Sequence, residues 1–326
     1  MKAWRVHEYG DYHAVMRLED GIEARPPAGA ETRLRVLAAG VNFADSLSIA
    51  GTYQVKQPLP FTPGGEVMGE VVEVGSESRF KRGDRIVAFG TGAFAEECTV
   101  PDARAFAVPA AIPPRHAAAL LSTYQTSHLA LVRRARLASG ETLLVHSGAG
   151  GVGTAAVQIG RRCGATVIAT AGSDDKLAVC RDAGADHVIN YRRQDFVAEV
   201  KRLTGDRGAD VIYDPVGGDV FDQSTRCIAW EGRLLVVGFT SGRIPSIAAN
   251  RILLKNIAVV GLNWPDYATR ERSVLDDAHA DILRWYGEGV IAPVIYAAVP
   301  LPEVPRALDL VLARDSYGKV VVTVER

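Results

Sequence analysis

The chain has 326 residues, 48 % of them apolar and 23 % charged, and a formal net charge of −1. Such a length suits two domains, and such a composition excludes a disordered chain. Near-neutrality leaves no electrostatic footprint for nucleic acid or an anionic membrane, so neither is expected as a partner.

The N-terminus, Met1-Lys2-Ala3-Trp4-Arg5-Val6-His7, lacks the apolar core of a signal peptide. No run approaches the ~20 apolar residues that span a bilayer. Residues 31–42 alternate, with Leu34, Val36 and Ala38 on one face and Arg33, Arg35 and Leu37 on the other. Short runs at Glu66–Val74, Asp84–Phe89 and Ala93–Val100 follow between glycine-containing turns, so the first third reads as β-rich. From about residue 117 the pattern changes. Strand-like runs at Glu141–Ser147, Thr166–Ala171, Asp186–Tyr191, Asp210–Val216, Arg233–Phe239 and Ile257–Trp264 alternate with amphipathic stretches. That alternation predicts an α/β fold with a parallel sheet covered by helices on both faces. A helix near 273–287 and a strand at Lys319–Val324 close the chain. The four cysteines, Cys98, Cys163, Cys180 and Cys227, are scattered and fit a reduced compartment, so the expected location is the cytoplasm.

The strongest local signal is Ser147-Gly148-Ala149-Gly150-Gly151-Val152-Gly153, a G-x-G-x-x-G turn between a predicted strand and a predicted helix. In a dinucleotide site one glycine makes the tight turn, one admits the pyrophosphate to the backbone, and one lets helix and strand pack closely. The free N–H groups at the helix start then face the anion. A site for NAD places an acidic residue at the end of the second strand; here that position is Ala171. Ser173, Lys176 and Tyr191 supply hydroxyls and a cation suited to a 2′-phosphate, which favours NADPH as cofactor. Asp174 and Asp175 argue the other way unless they serve as first-turn charges of the next helix.

Further motifs stand in a characteristic order: Gly40-Val41-Asn42-Phe43-Ala44-Asp45, Gly51-Thr52-Tyr53, Pro63-Gly64-Gly65-Glu66-Val67-Met68-Gly69, Lys81-Arg82-Gly83-Asp84, Ala183-Gly184-Ala185-Asp186, Asp214-Pro215-Val216-Gly217-Gly218 and Gly318-Lys319-Val320-Val321-Val322. The set resembles the zinc-independent, zeta-crystallin-like quinone oxidoreductases of the medium-chain dehydrogenase/reductase superfamily. The fold this resemblance implies is a Rossmann doubly wound parallel sheet inserted into a GroES-like β-rich catalytic domain. Expected boundaries are 1–121 and 266–326 for the catalytic domain and 122–265 for the NADPH-binding domain. In zinc alcohol dehydrogenases of the superfamily, ligands would stand at Asn42, Gly65 and near Ser122. None of these can complete a catalytic zinc site, so no metal is expected.

Without a metal to polarise an oxygen, hydride must go to an acceptor that is already electron-poor. The resemblance implies quinones or carbonyl-activated alkenes (enones and enals), with the developing negative charge met by a donor. Tyr53 is the candidate donor; its alternative is an aromatic lining for a flat substrate. Asn42 is expected to hold the nicotinamide ribose or the substrate carbonyl, and Asp45 is either a cleft carboxylate or a turn-fixing residue. Thr126 resembles the threonine that bonds the carboxamide. Val216, Gly238, Phe239, Thr240, Leu262 and Asn263 should lie at strand ends on the cofactor side. Lys319 either reaches the cofactor or is a surface lysine. Two further functions stay open: an enoyl-thioester reductase, and an NADPH-binding redox sensor or crystallin-like protein with little turnover. Finally, Arg251–Gly261 reads as strand-forming sequence at the sheet edge, and two-fold pairing there would bury Ile257 and Val259 in a homodimer.

Overall fold

The structure, a computed structural model, describes residues 1–90 and 92–324. Seven strands come first: β1 (Ala3–Val6), β2 (Met16–Glu19), β3 (Glu31–Val41), β4 (Glu66–Val74), β5 (Arg85–Phe89), β6 (Glu97–Pro101) and β7 (Ala105–Ala107). β3 is the spine. Its alternation is real, because Leu34, Val36 and Ala38 are buried whereas Arg33 and Arg35 stay on the outer face and pair with Glu73 at 2.7 Å and Glu70 at 2.8 Å. Of the predicted run Ala93–Val100, the first part is not strand: Ala93, Phe94 and Ala95 are buried in a loop, and the ladder begins at Glu97.

The next six strands alternate with helices: β8 (Thr142–Val145), β9 (Thr166–Ala171), β10 (His187–Asn190), β11 (Ala209–Asp214), β12 (Ile228–Val236) and β13 (Ala258–Gly261). They form one parallel sheet in the order β10-β9-β8-β11-β12-β13. The order reverses between β8 and β11, which is the switch point where open α/β sheets bind ligands. The core of this layer gathers Leu144, Ile168, Ile189, Ile212 and Leu234 with Phe196, Phe221 and Ile257.

The chain closes with β14 (Ile295–Pro300) and β15 (Lys319–Thr323), which return to the first sheet in the order β14-β15-β3-β4-β5-β7, with β6 also on β3. Two compact units result, Met1–Ser122 with Ala268–His279 and Ile295–Arg326, and Thr123–Tyr267 with Ala280–Val294. Residues 280–294 therefore belong with the nucleotide-binding type of sheet, not with the 266–326 tail expected from sequence. Gln158 accounts for this: its side chain donates to the Ala292 carbonyl at 2.9 Å and accepts from the Ala292 N–H at 2.9 Å.

A second correction concerns Arg251–Gly261. Ala249–Lys255 is a helix closed by Asn256 in the left-handed conformation, and only Ala258–Gly261 is strand. Ile257 is already buried in its own unit, so pairing at the edge would not be what buries it.

Candidate active site

In the parallel-sheet unit, β8 runs into the glycine turn and the Gly151–Arg162 helix. The turn is not made by Gly148. Ser147 adopts the left-handed conformation, with φ of 52°, and Gly148 sits where β9 passes close behind. A Cβ on Gly148 would lie 2.8 Å from the Ala169 Cβ, and one on Gly153 would run into the Ser147 carbonyl oxygen. Gly150 is the helix N-cap and Ala149 is buried, which leaves Gly151, Val152 and Gly153 to open the helix. These are the features of a backbone cradle for an anion at a helix N-terminus.

Beyond β9, Ala171 is buried, Gly172 follows, and Ser173 caps the Asp174–Asp182 helix without its side chain joining the cap. Lys176 stands in the first turn. A Cβ on Gly172 would lie 2.7 Å from the Tyr191 hydroxyl and 3.2 Å from the Arg192 Nε, so a phenol and a guanidinium both border the residue after Ala171. Arg192 escaped the sequence reading; its signal is its place immediately after Tyr191, which follows the end of β10. Asp174 pairs with Arg193 at 2.9 Å, which accounts for an acidic residue beside a phosphate-type site.

At the ends of β11 and β12 the chain turns back on itself. Val216 and Gly217 both donate to the Asp214 Oδ1, at 2.8 and 2.9 Å, while burial raises the Asp214 pKa. β12 ends at Val236, so Gly238, Phe239 and Thr240 lie in the loop beyond, where the Thr240 N–H meets the Pro215 carbonyl. Leu262 and Asn263 follow the end of β13 in the same way. Thr126 lies in the Pro114–His128 helix, and its neighbour Gln125 is fully buried with neither amide atom hydrogen-bonded among the described residues. His146 is a core residue: its ring nitrogens meet Thr170 and Ser224, and burial pushes its pKa down to about 3.

In the β-rich unit, Asn42, Asp45, Glu66 and Lys319 form one hydrogen-bonded cluster. Lys319 is 5 % exposed and Glu66 1 %, so this is a buried ion pair, with Nζ 3.0 Å from Oε2. The Lys319 ammonium also donates to the Asn42 Oδ1 at 2.7 Å and to the Val41 carbonyl at 3.1 Å. The surface-lysine alternative therefore fails, and all three donors of the ammonium are spent inside the unit. Asn42 donates through Nδ2 to Gly40 and Glu66, and the other Glu66 oxygen accepts from the Ser122 N–H at 2.7 Å. Asp45 accepts from the Asn42 N–H at 2.8 Å and the Gly65 N–H at 2.9 Å, while burial lifts its pKa to about 6. It is a turn-fixing carboxylate. Glu66 is the member the sequence reading missed, although it stands in the quoted Gly64-Gly65-Glu66 motif; its signal is a charge in an otherwise apolar strand start. Tyr53 is half-buried on the loop after the Phe43–Ile49 helix, anchored by its N–H to Leu47, and its hydroxyl makes no hydrogen bond among the described residues. Among those residues no group of three or more His, Cys, Asp or Glu is arranged to hold a metal.

A GroES-like β unit joined to a dinucleotide-type parallel sheet defines the class of protein. Residues 28–110 match the alcohol dehydrogenase GroES-like domain, and residues 151–279 match the family described as zinc-binding dehydrogenase. The chain is 36 % identical to a quinone oxidoreductase-like protein 2 homolog of Nematostella vectensis, over 100 % of this chain and 90 % of the relative. Among solved structures, Escherichia coli quinone oxidoreductase complexed with NADPH superposes with a TM-score of 0.92 at 29 % identity, covering 99 % of this chain and 100 % of that one. A mycobacterial protein complexed with NADPH gives 0.92 at 31 %, covering 99 % and 100 %. The chain belongs to the quinone oxidoreductase family of the medium-chain dehydrogenase/reductase superfamily.

Proposed function

We propose that this protein is an NADPH-dependent reductase that delivers hydride to quinones or carbonyl-activated alkenes without zinc. The observation that carries the reading is the pair of features in the parallel-sheet unit. A glycine cradle opens the Gly151–Arg162 helix, and Tyr191 and Arg192 border Gly172 where an NAD site would offer a carboxylate. The cradle fits a pyrophosphate. Ser173, Lys176, Tyr191 and Arg192 fit the 2′-phosphate, and the buried, unpartnered Gln125 beside Thr126 suits an amide-bearing group. When bound, NADPH supplies the hydride. Val216, Gly238, Phe239, Thr240, Leu262 and Asn263 are proposed to line the dinucleotide from the strand ends, and Tyr53 to donate a proton or hydrogen bond to the acceptor oxygen. A phenol hydroxyl carries a proton suited to that role.

Zinc does not fit this chain. Of the three positions where the superfamily places zinc ligands, Gly65 offers only its backbone to Asp45 and Ser122 its N–H to Glu66. Asn42 instead faces the Lys319 ammonium, a fixed positive charge where a dication would need anionic ligands. Without a Lewis acid to polarise an oxygen, acceptors that are already electron-poor, such as quinones, are favoured.

We further infer a cytoplasmic homodimer. All four cysteines are free thiols, which suits a reducing compartment. Among the described residues no helix is long and apolar enough to cross a membrane. β13 ends the parallel sheet with Val259 only half-buried, so a two-fold partner has an edge to pair with.

The test of the function is NADPH oxidation against 9,10-phenanthrenequinone, 1,4-benzoquinone, an enone, an enal and an enoyl thioester. Turnover with quinones or enones supports the reading. Turnover confined to the thioester favours an enoyl-thioester reductase, and NADPH binding with no turnover favours a redox sensor.

A further inference from the structure

We propose that Tyr9 is a positioning residue that brackets the loop carrying Tyr53, with its ring packed on Gly51 and its hydroxyl bonded to the Gln57 carbonyl, and so fixes where the Tyr53 phenol stands. The inference deepens the reductase reading above and rests on it for the role of Tyr53. Residues 50–60 form no helix or strand. Apart from the half-buried Gln57, residues 54–60 are exposed, Val55 at 63 % and Leu59 at 39 %, so this stretch has no core of its own to hold its shape. Its backbone is nearly untethered as well. Among the described residues, 54–60 make two hydrogen bonds, both through carbonyls: Gln57 accepts from the Tyr9 hydroxyl, and Pro60 from the Arg5 guanidinium at 3.3 Å.

The N-terminal segment fixes both ends of the loop. The Gly10 N–H donates to the Ile49 carbonyl at 3.2 Å, and Val6 and Phe61 exchange two backbone bonds of 2.9 and 3.1 Å. Between those ends, Tyr9 meets the loop at more than one point. Gly51 has a φ of 70°, and a Cβ there would lie 2.6 Å from the Tyr9 Cγ, so the ring abuts the backbone two residues before Tyr53. The hydroxyl holds the carbonyl four residues after it. The Lys56 Nζ stands 5.6 Å from the centre of the same ring, a cation–π contact. Tyr53 itself is anchored by its N–H to the Leu47 carbonyl at 3.1 Å, while its hydroxyl makes no hydrogen bond among the described residues. The path of the loop therefore sets where the phenol stands, and Tyr9 sets that path on both sides. Displacing a reacting group by about 1 Å can cost roughly 100-fold in rate. Tyr9 touches no substrate in this scheme; it acts through Tyr53.

The experiment has two readouts. The first needs neither nucleotide nor turnover: trypsin nicking after Lys56, followed by mass, reports how readily the loop opens. It should run about 3- to 10-fold faster in Tyr9→Phe, which keeps the ring on Gly51 and removes the Gln57 bond. The second is a cycle of Tyr9→Phe, Tyr53→Phe and the double variant, with kcat and KM measured for 9,10-phenanthrenequinone at saturating NADPH. Tyr53→Phe should lower kcat at least about tenfold. Tyr9→Phe should lower kcat about 3- to 10-fold with KM within about twofold, the pattern of a group that acts in the transition state. In the Tyr53→Phe background the same change should cost less than about twofold, because no donor is left to misplace. Equal nicking of wild type and Tyr9→Phe overturns the proposal, and so does an unchanged kcat in Tyr9→Phe. An equal further loss on top of Tyr53→Phe overturns it too, being the pattern of a general structural role. A raised KM with kcat intact does the same, since the loop would then line the substrate rather than place a donor. A fully active Tyr53→Phe leaves Tyr9 nothing to position and also overturns it. A wild type without turnover defeats the reading of function instead, and nicking still decides whether Tyr9 holds the loop.

Discussion

Asp45 is a carboxylate that burial resists and two backbone N–H groups hold, and its pKa rises from 3.8 to about 6. Between those values the folded chain keeps a proton that the unfolded chain has lost. Stability from this group is thus fully present below pH 4 and falls as pH rises toward 6, by roughly 3 kcal/mol in all. Urea denaturation of wild type and Asp45→Asn across pH 4–7 should give a difference that shifts against the wild type as pH increases; a constant difference would contradict this. Specificity is also a matter of single residues. Lys176→Ala should weaken NADPH by about 1.5–3 kcal/mol, or roughly 10- to 150-fold, with little effect on NADH. Arg192→Ala, at an exposed position, should act in the same direction and more weakly. Equal losses for both cofactors would sink the 2′-phosphate assignment. Sequence carried Ser173, Lys176 and Tyr191 because each sits at a fixed offset from a legible strand. It did not carry the Glu66 contact, because Glu66 and Lys319 are brought together only by β15 and β4 flanking β3 in one sheet.

At the scale of elements, the glycine turn separates two kinds of glycine. A methyl at Gly153 meets the Ser147 carbonyl, which is backbone and cannot yield, whereas one at Gly150 finds its nearest atom, the Ser147 Oγ, at 3.2 Å. Gly153→Ala should therefore cost about 2–4 kcal/mol by thermal denaturation and abolish NADPH binding. Gly150→Ala should fold with less than about 1 kcal/mol lost. Comparable losses would mean that the close approach of helix and turn is not what requires Gly153. The G-x-G-x-x-G spacing made the turn legible, but the division of labour was not, since Ser147 takes the left-handed conformation usually given to glycine. The same holds for Ala249–Lys255. The β-branched residues Ile252, Ile257, Val259 and Val260 give the Arg251–Gly261 run a strand-like look, but Leu253, Leu254 and Lys255 are good helix formers, and the chain makes a helix over Ala249–Lys255 with Leu253 73 % and Leu254 71 % exposed.

For the whole molecule, the alternation of strands and helices made the parallel sheet legible, and the alternation within β3 did the same for the β-rich sheet. The assignment of 280–294 to the parallel-sheet unit was not legible, because it depends on one buried glutamine bonding a distant loop. Assembly is proposed on the β13 edge. Light scattering should give a dimer for the wild type, and Val259→Lys, which sets like charges near the two-fold axis, should shift it toward monomer. A monomeric wild type, or a lysine variant that stays fully dimeric, would refute that edge as the interface. Zinc-free reduction that depends on NADPH can be read from initial rates with 9,10-phenanthrenequinone, comparing NADPH with NADH in the presence of strong chelator. Turnover should be undiminished in chelator, with a kcat/KM at least about tenfold higher for NADPH. Activity lost with one chelated zinc per chain, or equal use of NADH, would contradict it.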